Sequence, residues 1–277
     1  TVRIREGVGR REKENWLLAL KDKGIEAKEH PYLPYAFQLQ NVEGIRNLPG
    51  YAKGMFAVQD VSSMLVGEAT GLKREGTLLS SYERGITGRA GSKSEEGTES
   101  GLQEELLALD VCAFPGGKAM HIAEKLTGRG RVIARDISER KAFLMKDNIE
   151  RMGYKNLEIQ VFDASCPDEK LLEQADVVIA DLPCSGLGVI GKKRDIKYRI
   201  NQEAICQLEE MQRQILDVVW RYVKPGGVLI YSTCTVNPGE NEKMVEWFTR
   251  THPFEKKSLT PYLPKALIDE ENEGTLQ

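Results

Sequence analysis

LDVCAFPGGKAMH, Leu109 to His121, decides how this chain is read. An apolar run ends in Asp110, two adjacent glycines follow, and a helical pattern opens at Gly117. Glycines at such a turn let the backbone approach a ligand closely, and the first turn of the helix offers unpaired N–H groups to a carboxylate or phosphate. Cys112 and Ala119 stand where a phosphate-gripping GxxxxGK[ST] would carry glycine and a hydroxyl residue, and GxGxxG is absent, so neither nucleotide fingerprint fits.

Outward from this turn the period is β-α-β. Strands are expected at Leu106 to Val111, Arg131 to Asp136, Leu157 to Phe162, Asp176 to Asp181 and Gly227 to Ser232. Helices are expected near Gly117 to Leu126, Ser138 to Met152 and Asn201 to Val223, with another after Pro238. Continuous apolar strands between helices predict a mostly parallel sheet covered on both faces, with the ligand at the carboxyl ends of the strands. Three acids sit at those ends: Asp136 in VIARD, Asp163 in VFDAS and Asp181 in VVIAD. One such acid is often a helix cap, whereas three in register with a glycine turn fit the ribose, amino and ammonium groups of an adenosyl ligand.

Two cysteines occupy comparable positions, Cys184 in ADLPCSG (Ala180 to Gly186) and Cys234 in LIYSTCT (Leu229 to Thr235). Free cysteine usually packs as a small hydrophobe, which is the reading for Cys112, Cys166 and Cys206. Two thiols just beyond neighbouring strand ends point instead to covalent chemistry on an electron-poor ring.

DVCAFPGGK, DLPCSGLGV and YSTCTVNPGENE together resemble the signature motifs of the RNA cytosine-C5 methyltransferases, closest to the bacterial Sun-type 16S ribosomal RNA enzymes. QDVSSMLV (Gln59 to Val66) extends the resemblance over nearly the whole chain. The resemblance implies a class I, Rossmann-like methyltransferase fold with S-adenosylmethionine as cofactor. It places Cys112, Ala113, Phe114, Pro115, Gly116, Gly117 and Lys118 around the methionine end, Asp136 at the ribose, Asp163 near the adenine and Asp181 between cofactor and base. It makes Cys234 the nucleophile and Cys184 the assisting thiol. The chain departs from the pattern at Phe114, Ala119 and Arg194.

The chemistry accounts for these residue types. Carbon 5 of cytosine becomes nucleophilic once a thiolate adds to carbon 6. Asp181 is the group for the N3 edge, and Lys118 is expected to orient Asp181 or to lower a nearby pKa. His121 and His252 are expected to pack or face solvent, Glu240 and Glu242 read as first-turn acids favoured by the helix dipole, and Asn241 and Glu242 match the motif that follows the nucleophile.

The target base must leave its stack, so a basic border is expected. Lys192, Lys193, Arg194, Lys197 and Arg199 supply it in GKKRDIKYR, with Arg3, Arg5, Arg10 and Arg11 added from the N-terminal module. Small-subunit ribosomal RNA is the expected partner. Transfer RNA, or a truncated noncatalytic RNA-binding assembly factor, is the alternative.

The rest bounds these readings. Residues 1–50 read as a small α+β RNA-binding module and 51–277 as the methyltransferase domain, with a flexible insertion at about 74–104 rich in Gly, Ser, Thr, Glu and Lys; a short helix near Leu102 to Leu107 is the other reading of its far end. The text stops at ENEGTLQ, before the strand with which the family closes its sheet, and begins without the family's upstream helical domain, so a fragment is expected. The 277 residues carry a net charge of −3, no apolar run suited to a membrane span, and five cysteines without CxxC or Cys/His clustering. A cytoplasmic monomer without metal is expected.

Overall fold

The computed structural model describes residues 1–72 and 105–270. The stretch read as an insertion, and the terminal ENEGTLQ, lie outside the described residues.

The chain first builds an antiparallel sheet. β1 (Val2–Ile4) leads into helix α1 (Arg10–Asp22), then β2 (Glu26–Glu29), β3 (Ala36–Gln40) and β4 (Phe56–Val58), in the spatial order β2-β3-β1-β4. Trp16 and Leu20 from α1 pack on Val2, Ile4, Phe37 and Phe56, the apolar stripe that the helical period predicts. The division at residue 50 needs correction: β4 lies beyond it, yet pairs with β1 through Ile4 opposite Phe56. A strand partner fifty residues away leaves no local mark in the sequence.

Helix α2 (Val61–Ala69) starts after Asp60 and connects to the second sheet, built from β5 (Leu106–Asp110), β6 (Gly130–Asp136), β7 (Leu157–Val161), β8 (Ala175–Asp181) and β9 (Val223–Ser232). Leu106 and Leu107 belong to β5 and so are not helical. All neighbouring pairs are parallel, in the order β7-β6-β5-β8-β9. The chain winds one way from β5 to β7 and the other way through β8 and β9. The topological switch therefore falls between β5 and β8, and it is outside the carboxyl ends of the strands at such a point that open α/β sheets bind their ligands.

Helices α3 (Gly117–Lys125), α4 (Glu139–Met152), α5 (Ile196–Arg199), α6 (Gln202–Val219) and α7 (Glu242–Thr251) complete the described elements. Side-chain alternation along the strands feeds two cores. Leu107, Leu109, Val178 and Ala180 pack with Ile215, Val219 and Phe248 of α6 and α7, while Ala108, Val132, Val177 and Ile179 pack with Ile122 of α3 and Met145 of α4. The last long helix stops at Val219, four residues before the expected end, because a 3-10 turn at Trp220–Tyr222 leads directly into β9.

The two sheets are joined by buried polar contacts. Arg3, only 1% exposed, forms an ion pair with Glu124 of α3 and donates from Nε to Gln59 Oε1 at 2.8 Å. Arg151 of α4 donates from Nη1 to the carbonyl of Tyr51 at 2.8 Å, and Arg5 from Nη1 to that of Met152 at 3.2 Å. Arg3 is thus a structural pin rather than part of an RNA-facing border, since its charge is fully enclosed by a carboxylate and an amide.

Candidate active site

The turn after β5 is shaped by its backbone. Ala113 N–H donates to Arg135 O at 2.7 Å, Gly116 N–H to Ala113 O at 2.6 Å, and Gly116 sits at φ +96°, a conformation that favours glycine. Gly117 then begins α3, with Gln59 lying across it. Ala113 is buried, while Phe114 is partly exposed with Lys141 Nζ 5.6 Å from its ring centroid. Burial, reinforced by the charge of Asp110, pushes the Cys112 thiol up to about 12, which disfavours its thiolate.

Asp110 was not among the expected site residues. It is fully buried at the end of β5, with neither carboxylate oxygen in a side-chain hydrogen bond among the described residues. Burial first, and then repulsion from Asp181, raise its pKa to about 7, against the pull of Lys118. Its sequence signal was its place at the strand end before the glycine turn.

The three expected acids line the same edge. Asp136 is buried and accepts Ser138 N–H at 3.0 Å, with Lys141 Nζ 3.5 Å away. Asp163 accepts the Ser165 amide and hydroxyl through Oδ1 at 2.9 and 2.7 Å, leaving Oδ2 outside those bonds. Asp181 receives Lys118 Nζ on Oδ2 and the Ser232 hydroxyl on Oδ1, both at 2.7 Å. Lys118 also reaches Ser63 Oγ at 3.3 Å. The pairing of Lys118 with Asp181 ties the cofactor loop to the end of β8.

Beyond Asp181 the two thiols meet. Cys184 Sγ lies 3.1 Å from Cys234 Sγ, and Cys234 N–H donates to Cys184 Sγ at 3.2 Å. The hydrogen bond from Cys184 lowers the Cys234 pKa to about 7, helped by Lys193 and opposed by burial and by the charge of Asp181. The same hydrogen bond, together with burial, raises the Cys184 pKa. The contact thus favours the thiolate at Cys234 and the protonated thiol at Cys184.

Local backbone keeps this arrangement. Gly186 at φ +71° turns the chain after Cys184, and Gly188 N–H donates to Cys234 O at 3.1 Å. Asn241 accepts the Thr233 hydroxyl on Oδ1 at 2.6 Å and donates from Nδ2 to Thr235 O at 2.9 Å, bracketing Cys234 from both sides.

The basic segment lies at the rim. Lys192, Lys193, Arg194, Lys197 and Arg199 are all exposed. Lys192 pairs with Asp60 at 2.9 Å and Arg199 with Asp195 at 3.3 Å, and Ile196 of α5 packs against Gly186. Tyr198, next to Lys197, is 80% exposed. His121 and His252 lie outside the site: the first is buried near Glu68 with its pKa well below the usual value because of burial, and the second stacks on Phe248. Among the described residues no group of three or more His, Cys, Asp or Glu side chains is arranged to hold a metal. No described helix is long and apolar enough to cross a membrane.

The chain is similar to ribosomal RNA small subunit methyltransferase B of Klebsiella pneumoniae (strain 342), at 34% identity over 242 residues, covering 87% of this chain and 49% of that protein. The same protein of Salmonella paratyphi B matches at 33% identity over equal shares. The chain thus spans about half the length of the curated relatives it matches. The crystal structure of PH0851 superposes with a TM-score of 0.75 at 26% identity, covering 91% of this chain and 50% of that one. A methyltransferase homolog from Pyrococcus horikoshii shares the fold, with a TM-score of 0.67 at 24% identity over 90% of this chain and 69% of its own. The family model described as 16S rRNA methyltransferase RsmB/F matches residues 101–275, the region that holds the cofactor loop and both thiols, and the chain belongs to that family.

Proposed function

We propose that this protein transfers a methyl group from S-adenosylmethionine to carbon 5 of a cytosine in 16S ribosomal RNA, through a covalent adduct between Cys234 and carbon 6. The observation that carries the reading is the thiol pair, 3.1 Å apart, at the strand ends beside Asp181 and the glycine turn. Membership of the rRNA methyltransferase family supports the class of substrate.

The residues present fit the cofactor. The Asp110 carboxylate oxygens at the foot of the turn are buried without a hydrogen-bond partner among the described residues, as acceptors awaiting a ligand's donors would be, and the turn itself has no room for a side chain at Gly116, where a Cβ would meet Met145. In this reading Cys112 to Lys118 surround the methionine portion, Asp136 receives the ribose hydroxyls and Asp163 the adenine side. When bound there, S-adenosylmethionine supplies an electrophilic methyl group.

The chain's own residues do the remaining work. Cys234 as thiolate forms a bond to carbon 6, and the ring electrons shift toward carbon 5 and the N3 edge. Asp181, held by Lys118 and Ser232, faces that edge: its carboxyl donates a proton to N3 as the negative charge develops and takes it back when the carbon–sulfur bond breaks. After carbon 5 is methylated its proton passes to a water positioned by Cys184, and the carbon–sulfur bond breaks to return Cys234 as thiolate. The five basic residues at the rim grip flanking phosphates while the cytosine is turned out of its stack. A cytoplasmic place and a monomeric state belong to the same proposal.

The test is methylation of protein-free 16S RNA with isotopically labelled S-adenosylmethionine, followed by digestion to nucleosides and mass spectrometry. Label in 5-methylcytidine is the expected result. Label confined to another nucleoside, or none with folded protein on 16S RNA or transfer RNA, contradicts the proposal.

A further inference from the structure

Cys184 and Cys234 are carried by different strand ends, fifty residues apart in sequence, and a 3.1 Å separation requires the two loops to be registered against each other. Glu240 stands at that junction. The acid has no solvent exposure, although its place after Pro238 and Gly239 reads as an ordinary first-turn acid.

Its carboxylate is shared between both loops. Oε1 accepts the Ser185 backbone N–H at 2.8 Å and Gln212 Nε2 at 3.0 Å. Oε2 accepts the Ser185 hydroxyl at 2.5 Å and Asn237 Nδ2 at 3.1 Å. Ser185 directly follows Cys184, and Asn237 lies three residues beyond Cys234. The Ser185 and Thr235 hydroxyls are 2.7 Å apart, the Asn237 N–H donates to Thr235 Oγ1 at 3.1 Å, and Gln212 Nε2 also reaches Pro183 O at 2.8 Å.

A carboxylate buried this deeply is costly unless its lone pairs are filled, and four donors, none of them Lys or Arg, fill them here. A surface capping role would need no such set. Every donor belongs to the Cys184 loop, to the turn after Cys234, or to the α6 side chain that contacts the residue before Cys184. Removal of the carboxylate would leave these groups without their common acceptor and free the loops to separate.

We propose that Glu240 is the positioning residue of the thiol pair: by binding both loops to one carboxylate it keeps the two sulfurs at hydrogen-bond distance, so that the Cys184 thiol donates to the Cys234 thiolate. Its importance for catalysis rests on Cys234 being the nucleophile, but the geometric claim can be read without RNA.

The test is the pH profile of iodoacetamide alkylation at Cys234, resolved by peptide mass spectrometry, in the parent, Glu240→Gln and Ser185→Ala. Gln turns one acceptor oxygen into a donor that faces donors. Ser185→Ala removes one of the four bonds and the Thr235 link while leaving the acid paired, which serves if Glu240→Gln does not fold. The expected result is an upward move of the Cys234 inflection by about one unit, read as roughly fivefold slower alkylation at neutral pH, with an unchanged circular dichroism spectrum. A folded variant with the parent's profile overturns the proposal. A shifted profile in a protein that never methylates RNA supports the positioning of the thiols and counts against the methyl-transfer reading alone.

Discussion

Lys118 Nζ sits 2.7 Å from Asp181 Oδ2, so a lysine from the first turn after the cofactor loop and an acid at the end of β8 form one charged unit. Lys118 is 14% exposed and Asp181 29%, so the pair is partly shielded from water at the carboxyl end of β8. An arrangement preorganised in this way stabilises charge that develops on a bound base without having to move during reaction.

Lys118→Met leaves Asp181 with Ser232 alone. Methyl transfer is expected to fall by roughly 10²–10³-fold, the usual cost of losing one preorganised donor. Thermal melting checks that the fold persists. A rate equal to the parent's at every pH would make the lysine a structural partner only.

Cys184→Ala removes the leading cause of the lowered Cys234 pKa. The Cys234 alkylation inflection should rise from about 7 toward ordinary thiol values, because a thiolate that loses its donor is less stable. If Cys184 also assists release, the same variant accumulates a denaturation-resistant complex with unmodified RNA, visible as a slower band on a denaturing gel. Normal turnover with no such band would remove Cys184 from the release step.

Asp110 ties stability to pH. Its folded pKa of about 7 exceeds the reference value of 3.8, so between these values the folded state holds a proton that the unfolded chain has lost. Stability therefore falls as pH rises through this window, by at most about 4 kcal/mol for a shift of this size. Asp110→Asn abolishes that dependence. Denaturant melts of cofactor-free protein at about pH 4 and about pH 8 should show the variant gaining on the parent as pH rises. A difference that does not change with pH would show that Asp110 is not titrating in that range.

What was legible in the sequence was what depends on neighbours along the chain. The runs at Leu106, Arg131 and Asp176 became strands because continuous apolar sequence between helices has few other places to go. Cys184 and Cys234 could be singled out because each follows such a run directly. Arg3 reads as part of a basic border because its partners, Gln59 and Glu124, are distant in sequence. Glu240 reads as a first-turn acid for the same reason: its burial is decided by Ser185, 55 residues earlier, and by Gln212 on α6. Asp110 carries no mark in the sequence beyond its place before the glycines, and its burial follows from standing at the end of the central strand.

Attack of Cys234 on carbon 6 is the central claim, and RNA containing 5-fluorocytosine tests it most directly, because fluorine at carbon 5 prevents the proton loss that frees the enzyme. With S-adenosylmethionine present, the parent protein is predicted to form a denaturation-resistant adduct with this RNA, and Cys234→Ala to form none. An adduct that survives in Cys234→Ala and vanishes in Cys184→Ala, or no adduct from folded parent protein that binds the RNA, would contradict the account.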